Sequence, residues 1–284
     1  MNLFFDKINR LCFDAEKRFS VLGFALIIGT LLFGFDMFYV TPNFEVNFHG
    51  IVYSELSRHP FNLHFNNALR YRILAPALGY ILFLRGKLFF ILPLLFNVFF
   101  IAAVYFHYRK KNFNPLDAIL MSGLIAFSCT VFIHLNGMGY TDPVLYFFIF
   151  LAFAFAQNIL ICSVFFGLAV LTHECSLFLF PGLLLYSYSQ NKGNGNFLKC
   201  VLALSLSALP YFIYRYSVSS QIHVEYDSDF YFSKQNIFFC LNAASKFFPA
   251  GLFYAFKLFW FFPVYVLIKS WMTKDFNFIL LFFQ

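Results

Sequence analysis

The sequence predicts an all-α, polytopic integral membrane protein, on three observations. Of its 284 residues 61% are hydrophobic and only 12% charged, its mean hydropathy is +0.72, and its apolar residues gather in runs separated by short basic or polar segments. A soluble domain carries about 25% charged residues and no such succession of runs. The net charge of +7 does not point to nucleic acid, because Lys and Arg stand in short clusters beside apolar runs, as cytoplasmic anchors of membrane spans do. The six cysteines, Cys12, Cys129, Cys162, Cys175, Cys200 and Cys240, stand singly, mostly inside apolar runs. They show neither metal-ligand spacing nor a disulfide framework and read as small buried hydrophobes. The 48 phenylalanines are spread through nearly every run and mark packing and lipid-facing surface.

The first run, residues 20–40, has about the 20 residues that a helix needs to cross hydrocarbon, and it follows Lys7, Arg10, Lys17 and Arg18. No small-residue cleavage site follows it, so it reads as a span and not a signal peptide. Runs at 88–108, 116–135, 140–156, 159–171, 175–188, 197–214 and 247–268 bring the expectation to eight spans in one transmembrane domain over residues 1–284. A ninth run, 276–283, would be about 12 Å of helix, too short to cross, so the chain reads as C-terminally truncated. A cytoplasmic N-terminus places Lys7, Arg10, Lys17, Arg18, Arg109, Lys110, Lys111, Lys192, Lys199, Lys269 and Lys274 inside. That majority of the basic residues favours this orientation in a plasma (inner) membrane. Residues 159–188 admit two readings, two short crossings or one long helix broken near Pro181, and the second reverses everything downstream.

Residues 41–87 form the longest stretch between spans, an outer loop. Phe48, Ile51, Val52 and Leu56 follow helical spacing, with His49, Ser54, Glu55 and Arg58 elsewhere on the wheel, which predicts a short helix in the membrane interface. His59-Pro60 ends it. The apolar run 73–84 would be about 18 Å of helix and is not expected to cross. Ahead of it stand Arg70 and Arg72. Residues before Pro76 are biased towards extended structure, so the two guanidinium groups are expected to project together just ahead of a helix N-terminus, an arrangement suited to phosphate. The alternative is that they snorkel to headgroups or pair with acids.

Gly137-Met138-Gly139-Tyr140-Thr141-Asp142-Pro143 reads as a helix start, with Asp142 capping free N–H groups and proline in the first turn. A functional Asp142 would instead accept a substrate hydroxyl or a divalent metal. Thr172-His173-Glu174 lies between runs of only about 13 residues, so it is expected below the outer surface, in a protein-lined or wet cavity. There His173 would relay a proton and Glu174 would pair with Arg70 or Arg72; a structural ion pair is the alternative. Asp36, near the outer end of the first span, and Glu45 and Glu55 beyond it are further acids on this side.

The order of these features, a long first outer loop, then Arg-Tyr-Arg-Ile-Leu-Ala-Pro, then Gly-Tyr-Thr-Asp-Pro before a span, then Thr-His-Glu before a proline-containing run, resembles the GT-C-type polytopic glycosyltransferases over roughly residues 20–190. The resemblance implies transfer of a sugar from a polyprenyl-phosphate carrier to an acceptor glycan, lipid or protein on the extracytoplasmic face. It implies Asp36 as catalytic base, with Glu45 next, and Arg70 and Arg72 on the donor phosphate. Tyr140 would line the substrate site, and Asp142, His173 and Glu174 would position the reactants. It leaves room for a divalent metal and names no certain cofactor. Two departures stand out: the paired acids at the start of the first outer loop are absent, and His173 stands where a basic residue is expected before Glu174. A transporter or flippase for an anionic lipid or solute, using the same arginines, is the reading from another class, and a non-catalytic membrane subunit is the third.

Overall fold

The computed structural model describes residues 2–42, 44–47, 49–61, 68–190 and 197–219. The expected span 247–268, the run 276–283, Cys240, Lys192, Lys257, Lys269 and Lys274 lie outside these residues. The described residues belong to one compact unit, Met1–Val224, and are helical throughout, with no strand among them.

Helix α1 (Asn2–Val40) begins well before the expected span and kinks where that span was expected to start, at Ser20 (φ 64°, ψ 161°). The Ser20 hydroxyl accepts the Gly23 N–H at 3.2 Å, as an N-cap does, so the chain re-initiates a helix there. Helix α2 (His49–Leu56) is the expected short helix. A 3-10 turn, Ala68–Tyr71, leads into α3 (Leu74–Ile81). At eight residues, about 12 Å, α3 is shorter than a membrane span, and a second 3-10 turn, Gly86–Phe90, brings the chain into α4 (Ile91–Lys110). Next come α5 (Pro115–Ala126), α6 (Cys129–Asn136), α7 (Asp142–Ala154), α8 (Ile159–Thr172), a 3-10 turn Glu174–Leu179, α9 (Phe180–Gln190) and α10 (Phe197–Ser219).

Side-chain pairs give the direction of each element. Phe24 meets Tyr105 edge-on, and Phe33 shares a cluster with Ile101, so α4 runs antiparallel to α1. Ala118 packs at the Phe24 level and Ala126, Val131 and Leu135 at the Phe33 level, so α5 and α6 together make one pass. The expected single helix 116–135 is broken at Ser128, whose hydroxyl bonds the Ile125 carbonyl at 2.6 Å and tightens the turn. Helix α7 returns: Phe147 touches Phe96 and Phe99, and Phe150 touches Phe100 and His107. Helix α8 and the Glu174–Gln190 segment form an antiparallel hairpin, with Phe166 against Phe180 and Cys162 Sγ 3.5 Å from Ser187 Oγ. Of the two readings of 159–188, the single long helix broken near Pro181 does not form: the stretch is two short antiparallel segments, and the turn between them is at extended His173 (φ −159°, ψ 123°). Helix α10 then packs on α8, Gly167 against the Ser207 carbonyl, and carries Tyr214 back to the end where α1 finishes.

Among the described residues three helices are long and apolar enough to cross a membrane: Asp6–Val40, Gly86–Lys110 and Phe197–Val218. Large apolar side chains point outwards on these and neighbouring helices, among them Leu31, Phe38, Leu185 and Leu206. Such a surface suits hydrocarbon, not water.

Candidate functional site

Chain reversals gather polar groups at the two ends of the bundle. At the N-terminal end, Arg109 of α4 grips Glu16 through Nε (2.5 Å) and Nη2 (2.7 Å), and the Tyr105 hydroxyl donates to Glu16 at 2.7 Å. Arg109 Nη1 also donates to the Phe113 carbonyl, and Asn114 caps α5 by accepting the Asp117 N–H. This end is a closed structural lock, with Glu16 buried.

At the other end the turn 137–141 lies against the start of α2. Asn47 donates through Nδ2 to the Asn136 carbonyl at 3.0 Å, and His49 meets Tyr140 edge-on, ring centroids 5.5 Å apart. Gly50 sits on the Met138 carbonyl, where a Cβ would come within 2.1 Å, and Gly139, at φ +89°, lies against Gly50. Glycine is required at both positions for space, and at Gly139 also for its backbone conformation. This contact sets α2 so that Tyr53 points at the start of α3.

There Arg72 lies among Tyr53, Glu174 and the start of α8's return. Its Nε and Nη2 donate to the two carboxylate oxygens of Glu174 at 3.1 and 2.9 Å, and its Nη1 donates to the Tyr53 hydroxyl at 3.0 Å. Both partners keep some exposure, 19% for Arg72 and 32% for Glu174, so the pair forms a wall of an open site. Burial works against both charges, yet their mutual hydrogen bonds and attraction prevail, holding the Glu174 carboxyl below its ordinary range and the Arg72 guanidinium above its own. Burial pushes the Tyr53 phenol up, Arg72 and Thr141 oppose it, and the charge of Asp142 adds to it.

His173 Nδ1 accepts the Cys175 N–H at 3.1 Å, so that nitrogen carries no proton and the neutral ring presents Nε2–H. Its 3.7 Å separation from Glu174 is therefore not an ion pair. Burial, and then the charge of Arg72, lower the imidazole below its ordinary range, against the pull of Glu174 and Asp142. Asp142 was expected to cap α7; the cap position is Thr141, without a side-chain cap bond, and Asp142 stands in the first turn. Its half-buried carboxylate makes no hydrogen bond among the described residues. It faces Tyr53, His134, His173 and Cys175 electrostatically.

Arg72, Asp142, His173 and Glu174 are thus brought together, with Tyr140 at the neighbouring turn. Arg70 is not with them. The backbone ahead of Pro76 is not extended as expected: it is the 3-10 turn Ala68–Tyr71, and Ile73 is in the α region. Residues two apart in such a turn point in different directions. Arg70 is buried at 1% exposure and its carbonyl accepts the Tyr214 hydroxyl of α10 at 3.3 Å, while Arg215 covers the Tyr71 ring. Asp36 is not at the rim of the site. It is fully buried, on the α1 stripe that carries Gly29 and Phe33 against α4, and neither carboxylate oxygen has a partner among the described residues. Asn97 of α4, equally buried, is likewise without one. Glu45 lies in the exposed chain between α1 and α2. Among the described residues no three His, Cys, Asp or Glu side chains converge as metal ligands.

Sequence reasoning missed Tyr53, His134 and the Glu16–Tyr105–Arg109 lock. Tyr53 had a signal, since it lies between Gly50 and Leu56 on a short helix beside the arginine motif. The lock had none, because its partners are 93 residues apart.

No family profile, characterised protein or solved structure matches the chain.

Proposed function

We propose that the chain is a membrane glycosyltransferase that moves a sugar from a polyprenyl-phosphate carrier to an acceptor hydroxyl on the extracytoplasmic face. The observation that carries this reading is a forked, partly open arginine, Arg72, held by Glu174 and Tyr53 near a carboxylate, Asp142, that makes no hydrogen bond among the described residues. In this reading all seven passes of the described chain cross the bilayer, the short ones around a thinned or wet centre, with the N-terminus cytoplasmic and the Arg72 end outside.

A donor phosphate would replace the Glu174 carboxylate on Arg72, whose planar fork fits either anion. Asp142 takes the proton of the acceptor hydroxyl. That oxygen bonds the anomeric carbon with inversion while the carbon–oxygen bond to phosphate breaks, the electron pair staying on the phosphate oxygen that Arg72 neutralises. His173, donating through Nε2–H, orients an acceptor or phosphate oxygen. The base is assigned to Asp142 and not to Asp36, because a carboxylate sealed between helices meets no acceptor.

Buried Asp36 and Asn97 favour the transporter reading up to a point, since neither side chain has a polar partner among the described residues. Towards the N-terminal end of the α1–α4 interface the packing is apolar, Phe33 with Ile101 and then Phe24 with Ala102, and carries no polar path among the described residues. The test is incubation of the purified full chain with radiolabelled polyprenyl-phosphate sugars and a panel of acceptors. Transfer that Asp142→Asn abolishes supports the enzyme. Donor translocation across vesicles without bond cleavage overturns it.

A further inference from the structure

We infer that the groove between α1, α4 and α7 binds an anionic phospholipid, one acyl chain lying along its floor and the headgroup phosphate held by Lys110 and Lys111. The groove encloses about 510 Å³, within the range of cavities that hold a drug-sized ligand. Its walls are Leu22 and Leu26 of α1, Phe99 and Phe106 of α4, and Phe150 and Leu151 of α7. Its floor is open because the residues between are small, Ala102, Ala103 and Ala154. From Phe99 to Lys111 it runs 12 residues along α4, about 18 Å, slightly more than one leaflet of a hydrocarbon core about 30 Å thick.

Polar groups occur at one end only: His107, Lys110, Lys111 and Gln157. This is the end of the Glu16 lock, opposite Arg72, so the groove is separate from the site proposed above and does not depend on it. Arg109, between these groups in sequence, is committed to Glu16. Lys110 and Lys111 form no ion pair among the described residues, and Lys110 Nζ stands over the Phe106 ring at 5.0 Å, at the mouth of the trough. An apolar channel gives no advantage to a soluble anion, and two uncompensated ammonium groups give none to a neutral lipid. A ligand with both a chain and a phosphate uses the whole groove, as basic pockets between membrane helices do for anionic headgroups.

The test is native mass spectrometry of the delipidated full chain with phosphatidylglycerol, phosphatidylcholine or inorganic phosphate, for the natural protein, Lys110→Ala/Lys111→Ala and Ala103→Phe. The expected result is retention of phosphatidylglycerol about tenfold above phosphatidylcholine, with that preference abolished in the lysine variant, whose two exposed side chains leave the fold intact by circular dichroism. Ala103→Phe, which fills the floor, should lower retention of both lipids. Equal retention of the two lipids by the natural protein overturns the inference, and so does a preference that survives in the lysine variant. Inorganic phosphate binding as tightly as phosphatidylglycerol also overturns it, since the chain would then contribute nothing.

Discussion

Arg72 and Glu174, 102 residues apart, meet through two parallel hydrogen bonds of 3.1 and 2.9 Å, while a third from Arg72 reaches Tyr53. The pair therefore ties α2, the start of α3 and the turn after α8 into one object. Removing Arg72 leaves a half-buried carboxylate without its partner, so Arg72→Ala should destabilise by roughly 1–3 kcal/mol, less than a fully buried pair would lose because water reaches Glu174. Arg72→Lys should recover only part of this, since one ammonium cannot make both parallel bonds and reach Tyr53. Adding Glu174→Gln to Arg72→Ala should restore stability towards the natural value. Thermal unfolding of these proteins and of Glu174→Gln alone, in detergent, checks this, and strictly additive losses for the pair would contradict it.

Glu16 and Arg109 form the corresponding tie at the opposite end, and there the carboxylate is buried at 6% exposure and the guanidinium is 13% exposed, both less open than Glu174 and Arg72. Glu16→Gln should therefore cost more than Glu174→Gln, about 3–5 kcal/mol, because the Arg109 charge is stranded with little water to take over. Glu16→Asp retains the charge with a shorter reach and should fall between. The comparison is made by chemical denaturation; equal losses at the two ends would show that burial does not set the difference.

The helical fold was legible in the hydropathy pattern: the expected runs within the described residues are helical, and three of those helices are long and apolar enough to cross a membrane. What the pattern could not show is where a pass is interrupted. The Ser20 and Ser128 breaks depend on one hydroxyl bonding nearby backbone, and serine in an apolar run carries no distinct signal. At the site, the partnership of Glu174 with one of two arginines was legible from the cost of a charge near hydrocarbon. Choosing between Arg70 and Arg72 was not, because it depends on the pitch of a four-residue 3-10 turn. Asp36 illustrates the reverse error: a carboxyl near a helix end reads as accessible, while neighbouring helices decide that it is sealed.

Gly50 and Gly139 give a prediction about how the site is held. A Cβ at Gly50 would lie 2.1 Å from the Met138 carbonyl oxygen, a backbone atom that cannot turn aside. Gly50→Ala should push α2 off the 137–141 turn, withdraw Tyr53 from Arg72 and cost roughly 2–4 kcal/mol. Gly34→Ala is the control: nothing lies within 4 Å of its Cβ position, and in a helix alanine is preferred to glycine by about 1 kcal/mol. Melting temperatures should fall for the first and hold or rise for the second. A Gly50→Ala protein as stable as the natural one would mean that α2 does not pack as described.

His173 supplies the pH dependence. Burial and the Arg72 charge keep its folded-state affinity for protons below the ordinary imidazole value of 6.5, so between the two values the unfolded chain binds more protons and stability rises with pH. The contribution is complete above 6.5 and is lost as pH falls through the folded value. Glu174, held below its ordinary 4.5, acts in the same direction at lower pH, its contribution present above 4.5 and lost as pH falls through the folded value. Protonating His173 at Nδ1 would also break its bond from the Cys175 N–H and loosen the turn that presents Glu174. His173→Asn retains an acceptor oxygen for that N–H and cannot titrate. As pH falls below 6.5 the natural protein should therefore lose more thermal stability than His173→Asn, and the two curves run parallel once pH has passed below the folded value. Superimposable curves over the whole range would show that His173 is protonated equally in the folded and unfolded chains.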